Sequence, residues 1–310
     1  MATSGSYDFG LNAQEIVKEA LYSIGAIAVE ETPTADEITS SLRRLNMMLK
    51  AWQAEGLGIW LNQEVTLILQ NDVVQYTLGP TGDGHCSATM NKTELSVAAA
   101  AADGTITVDS DSAISDADII GIELDSTTVD WDVVNGAPVA NVVTLTGTIN
   151  TAAAIDNHVY SYTSLTQRPL EIIEARLRDA DYNDTPLEII SRQEYQAIND
   201  KTVEGSPNSI HYQPTTINGT LWVWPEPNNT KEQIVMTIKR PIMDFDAITD
   251  DADFPPEWLE AVTTNLALRL APAYGALVHP ELKSLAQTSK FEAKGFDRES
   301  TSIFFQPDVR

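Results

Sequence analysis

Four histidines, one cysteine, a glycine-rich GPTGDG run and 45 aspartates and glutamates are the groups with which this 310-residue sequence could do chemistry. His85, His158, His211 and His279 are scattered, with no i, i+4 pair and no HExxH, so their spacing spells no zinc site. They are expected at the surface or in turns. Cys86 has His85 beside it but no further motif of a nucleophile, and it is read as inert. As the single cysteine it excludes an internal disulfide framework. Gly79, Gly82 and Gly84 sit in GPTGDG, which lacks the Lys-Ser/Thr end of a phosphate loop and is followed by no helical pattern; a turn is expected. Carboxylates are so abundant that some pair will fall at glycosidase spacing by chance. No catalytic residue, metal ligand or cofactor site is identified. Trp222 and Trp224 alternate in LWVWPEP and so share one face of a strand. Stacking on a sugar or base is open to them, but aromatic pairs in strands are more often core, and core is the reading taken.

The charge balance narrows the function classes. With 19 lysines and arginines the formal net charge is −26, and the isoelectric point is about 4.3. A surface that grips nucleic acid throughout needs clustered bases, so that class is disfavoured. Mean hydropathy is −0.16, and no window approaches the roughly 20 apolar residues of a membrane span. The first ten residues lack the basic and apolar regions of a signal peptide, so synthesis and folding in a cytoplasm are expected.

The elements that must position these groups are written in caps and periods. Asn12 with Glu15, and Thr34 with Glu37, fit the capping box and open two helices. In the second, Ile38, Leu42, Leu45, Leu49 and Trp52 form one apolar stripe, and Gly56 supplies the stop, as Gly25 does for the first. Val65, Leu67 and Leu69, then Val74, Tyr76 and Leu78 after a turn at Asn71 and Asp72, predict a β-hairpin. Short period-two runs follow near 105–108, 119–124, 129–134, 141–145 and 158–162, the pattern of a small sandwich or barrel. Further strands are expected at 170–177, 187–190, 209–212, 220–224 and 233–239, with Ser191 and Glu194 capping a short helix. A long helix begins at Pro256 and is expected to stop at Pro272; being apolar nearly all round, it is buried by several neighbours or by another subunit. A last helix is expected over 280–294.

Residues 83–165 differ in kind from their flanks. They hold 12 acidic residues and one base, Lys92, against 10 and 4 in residues 1–80 and 23 and 14 in residues 166–310. The chain is therefore divided into an N-terminal part with helices and hairpin (1–82), an inserted β-domain (83–165), the remainder of the body with β-rich part and C-terminal helices (166–294), and an extended tail (295–310). The expected class is α+β: a helical body with a β-rich part and an inserted small all-β domain. In the polar tail, Ile303, Phe304 and Phe305 have too little around them for a core of their own and are expected to dock on a partner.

The order of the pieces carries a resemblance. ETPTADE, LRRLNMMLKAWQAEGLGIW, VQYTLGP, QRPLEIIEARLRD, PLEIISRQEYQAINDKTVEGSPNSIHYQP, GTLWVWPEPN and FPPEWLEAVTTNLALRLAPAYG occur in that order and cover most of the chain outside the insert. Together they resemble the tail accessory factor family of bacteriophages, also called packaged-DNA stabilisation or head-to-tail adaptor proteins. The resemblance implies a structural virion protein at the head–tail junction, with a helical connector-like body, a ring (a dodecamer) under the portal protein, a platform for tail fibre, nozzle or other tail proteins, no cofactor, no membrane and no enzymatic activity. Double-stranded DNA would pass through the lumen without specific binding, past carboxylates that repel it.

The residues carried over are Leu45, Asn46, Leu49 and Trp52; Tyr76 and Gly79; Arg168 and Pro169; Tyr195, Lys201, Gly205 and Pro207; and Asn265, Leu266, Ala267, Leu270, Ala271 and Pro272, all in packing and assembly. Leu45, Leu49, Trp52, Trp258, Leu266 and Leu270 are expected to pack between subunits, and the tail residues Ile303, Phe304, Phe305 and Arg310 to dock on the portal. Compact members pass from the YTLG hairpin to the Arg-Pro strand with little between, whereas here 83 residues intervene. That insertion is tolerated if its ends emerge close together, and it is expected to bind a further tail component. The rival classes are a virion-associated peptidoglycan hydrolase and a β-rich glycan-binding adhesin with Trp131 as its platform.

Overall fold

The computed structural model describes residues 5–6, 9–28, 31–56 and 58–297. Both expected capping boxes form. Asn12 Oδ1 accepts from the Glu15 N–H at 3.0 Å and opens α1 (Ala13–Ser23); the Thr34 N–H donates to Glu37 Oε2 at 2.8 Å and opens α2 (Ala35–Ala54). Gly56, at φ 79°, follows the end of α2 in the left-handed region. The chain continues through β1 (Asn62–Ile68), β2 (Gln75–Leu78) and β3 (Cys86–Ser87). Then come β4 (Asn91–Val97), β5 (Thr105–Val108), β6 (Ile119–Glu123), β7 (Val129–Val133), β8 (Val142–Thr144) and β9 (His158–Tyr162). After these lie β10 (Glu171–Arg178), β11 (Asp184–Pro186), β12 (Glu188–Ile189), α3 (Arg192–Ala197), β13 (Ser209–Pro214), β14 (Gly219–Trp224) and β15 (Gln233–Lys239). Helices α4 (Leu259–Tyr274) and α5 (Pro280–Phe296) close the described chain. The class is mixed α+β.

The chain separates into two compact units, residues 1–61 with 242–310, and residues 62–241. The anticipated boundaries at 82/83 and 165/166 fall inside the second unit.

In the first unit the two ends of the chain build one helical core. The stripe of α2 meets Leu259, Val262, Leu266 and Leu270 of α4, with Ile16, Val17 and Leu21 of α1. Trp258 is 1% exposed and sits 5.8 Å from Trp52 and 5.1 Å from Trp60, ring to ring. The buried face of α5 is small, Ala286, Ser289 and Ala293, which lets it lie close against α4. Pro272 does not end α4 as expected; it lies inside the helix. The stop is Gly275 at φ 60°, whose N–H, with that of Ala276, returns to the Ala271 carbonyl. A proline in the last turn forfeits a single backbone bond, so it does not break the helix before that cap.

In the second unit two sheets share a core. One has the order β11-β10-β15-β1-β3 and the other β12-β13-β14-β2. Val65 and Leu67 of the first, with Leu69 just beyond β1, lie in the same cluster as Tyr76, Leu78, Leu221 and Val223 of the second. The expected hairpin is therefore wrong in its pairing: β1 pairs with β15 and β3, while β2 pairs with β14. Alternation marks a face that must be buried, and two strands can bury it across a core as well as side by side.

The remaining six strands form a sheet ordered β7-β6-β9-β4-β5-β8 around their own core of Leu95, Ile106, Val108, Ile120, Ile122, Val143 and Val159. Its edges meet through a Val134–Leu145 bridge and the Asn135 N–H to Thr144 carbonyl bond of 2.9 Å, so the sheet curls partway into a barrel. Its two ends leave the sandwich side by side: the Ser87 hydroxyl donates to the Ser164 carbonyl at 2.7 Å.

Candidate functional site

Leu45, Leu49, Trp52, Trp258, Leu266 and Leu270 pack against one another within the chain, none more than 5% exposed. Buried in this way, they are not the intersubunit surface that was expected of them. Ile303, Phe304, Phe305 and Arg310 lie outside the described residues.

The polar residues of the resemblance motifs act as brackets between distant backbone segments. The Asn46 side chain donates to the Phe245 carbonyl at 2.9 Å and accepts from the Phe245 N–H at 3.0 Å, fixing the approach to α4 against α2. Asn265 Nδ2 donates to the Ala261 and Ala286 carbonyls, at 2.8 and 2.9 Å, joining α4 to α5. The Tyr76 hydroxyl accepts from the Gln70 N–H at 2.9 Å, and burial pushes its phenol pKa up. Arg168 donates to the Thr215 carbonyl, and the Pro169 carbonyl accepts from the Tyr212 hydroxyl at 2.6 Å. Lys201 donates to the Ile198 carbonyl at 2.9 Å.

GPTGDG is a turn, as expected. The Gly82 N–H donates to the Gly79 carbonyl, and the Gly84 N–H to that of Thr77. A Cβ on Gly82 would stand 2.0 Å from the Thr77 carbonyl oxygen, so close approach of backbone explains the glycine. Cys86 is fully buried, and burial pushes its thiol up, away from the reactive thiolate.

The histidines depart from expectation, for three of the four are embedded. His85 lies flat on Trp131, centroids 3.6 Å apart and planes 4° from parallel, with Nδ1 2.7 Å from the Tyr162 hydroxyl. Burial pushes its pKa down to about 4, with Asp83 opposing. One face of Trp131 is thus occupied by His85, which leaves it a poor open platform.

His158 and Glu123, both under 10% exposed, form the polar part of the seam between curled sheet and sandwich. Glu123 accepts from the His158 backbone N–H and the Thr230 hydroxyl, both at 3.0 Å, and His158 Nδ1 lies 3.3 Å from the carboxylate. The Tyr160 hydroxyl donates to the Thr230 carbonyl at 3.3 Å. Burial lowers the His158 pKa, aided by Lys92 and opposed by Glu123 and Glu94. His211 is also enclosed, 8% exposed, between Tyr195 and Trp222. Only His279, which precedes α5, is on the surface.

Trp222 and Trp224 are half-buried rather than core: Leu221 and Val223 take the inner face of β14 and the two indoles the outer. No local sequence pattern marks the cluster at Tyr195, His211 and Trp222, because its members come from three elements and only the Trp alternation signals a shared face. Among the described residues no group of three or more His, Cys, Asp or Glu could hold a metal, and no helix is long and apolar enough to cross a membrane. No protein-family model matches the chain, and no curated protein matches it.

Proposed function

We propose that the chain is a structural virion protein, a head-to-tail adaptor that forms a ring beneath the portal, helps retain packaged DNA and presents a platform to later tail components. The observation that carries this reading is the use made of the motif residues. Asn46 and Asn265 spend their amides on backbone brackets inside the helical unit. The apolar motif residues around them fill one core drawn from both ends of the chain. A body braced in this way is suited to bearing load.

A closed ring needs a heterologous interface, two different patches per subunit. With the α2 and α4 stripes consumed internally, exposed apolar residues such as Met47, Leu285 and Phe291 become the candidates; they are 60%, 44% and 74% exposed. The acidic excess suits a lumen that repels passing duplex. The test is the mass of the purified protein alone and mixed with the cognate portal. An adaptor is small alone and ring-sized with portal; a protein that stays monomeric in the mixture is not one.

A further inference from the structure

The outer face of β13 and β14, with α3 and the segment after it, borders an open-sided cavity of about 290 Å³. Its wall is an aromatic stack: the His211 ring lies 5.2 Å from Trp222 at 20° and 6.0 Å from Tyr195 at 21°. Two cations stand at it. Arg192 is exposed, and the Lys201 ammonium sits 5.2 Å above the Tyr195 ring. Gln196 and Gln213 complete the lining. Although the chain has 45 carboxylates, no carboxylate among the described residues lines this cavity.

His211 Nδ1 is 3.1 Å from the Ile190 carbonyl, which can only accept, so this nitrogen donates and holds the ring in the stack.

We propose that this cavity binds an acidic sugar, a pyranose ring bearing a carboxylate. The indole of Trp222 offers an apolar surface to the C–H face of the ring. The two glutamine amides match its hydroxyls, and Arg192 with Lys201 its carboxylate. The volume lies just below the roughly 300–1,000 Å³ of drug-sized sites, which suits a single ring. The site lies within one chain and does not depend on ring assembly, so the mass experiment above and the one below can fail separately.

The full-length protein is titrated with galacturonic acid, with trigalacturonate and with maltotriose, following tryptophan fluorescence and calorimetric heat. Saturable binding of the uronates is expected, with maltotriose about tenfold weaker or worse for want of the charge-assisted contacts. Arg192→Gln and Lys201→Met should each weaken uronate binding several-fold and leave the maltotriose signal unchanged, while Trp222→Ala should abolish both. Thermal melting checks that each variant folds; should Trp222→Ala not fold, the two cation variants carry the test alone. Trimer binding tighter than monomer points to a residue within a polysaccharide, and equal binding to the free sugar. Equal affinity for maltotriose, tighter binding of uridine monophosphate or an acidic peptide, insensitivity to both cation variants, or no saturation at millimolar uronate would each overturn the proposal.

Discussion

His85 shows how a single side chain couples this fold to pH. Its ring is covered by Trp131, so the folded chain disfavours its charged form and the pKa falls from 6.5 to about 4. The unfolded chain then binds the proton more readily between those values, and stability rises with pH across that window. The contribution is complete above about pH 6.5 and is lost as pH falls toward 4, on the order of 3 kcal/mol in all. Chemical denaturation of the wild type and of His85→Gln at pH 7.5 and pH 4.5 measures it, and the variant should lose less stability on acidification. His158 shifts in the same direction, so some pH dependence remains in the variant; identical slopes would show that His85 does not carry the effect. None of this is legible in the local sequence, because a histidine's neighbours in sequence do not set its burial; residues far along the chain do, Trp131 and Tyr162 here.

At the scale of elements, local chemistry wrote the helix starts and tertiary contacts chose the strand partners. Thr34 and Glu37 satisfy each other's backbone groups within four residues, so the cap needs nothing from the rest of the molecule. Thr34→Ala should cost about 1 kcal/mol, read from the midpoint of urea unfolding; no measurable change would mean that tertiary packing alone holds the start of α2. Strand β4 went unseen because its sequence, NKTELSV, buries only Leu95. Its place between β9 and β5 is earned by backbone pairing, which leaves no apolar period to read. The same limit explains the false hairpin. Val65 to Leu69 and Tyr76 to Leu78 announce that each strand has a face to hide, but β1 meets Gln233–Lys239 from more than 160 residues downstream.

For the whole molecule, the insertion is the most testable feature. The Ser87 hydroxyl reaches the Ser164 carbonyl, and the Thr163 N–H reaches Thr89 Oγ1 at 3.4 Å, so the excursion starts and ends at one place. Cys86 and Ser87 belong to the sandwich sheet through β1, and the excision should therefore remove residues 90–163 rather than the whole of 83–165. Such a chain should still fold, since the sandwich keeps its own core. It should melt at lower temperature, because Ile68 loses the cover of Val129 and Tyr160 and Thr230 loses Glu123. Loss of a cooperative transition would mean that the curled sheet is part of the sandwich's folding unit; a fully folded product whose binding to candidate tail proteins is unchanged would remove the expectation that the insertion docks one.

The sequence by itself determined the helix caps, the apolar stripes, the mixed α+β class and the acidic, lysine-poor insertion. All of these are properties of contiguous residues, whose periods and caps act over a turn or a few strand positions. Only the tertiary structure decided which strands pair, that the two chain ends share one helical core, and that three histidines lie among aromatic rings and carboxylates drawn from separate elements. Pairing and burial depend on contacts between residues that are far apart in sequence, and a local pattern states that a face must be covered without naming what covers it.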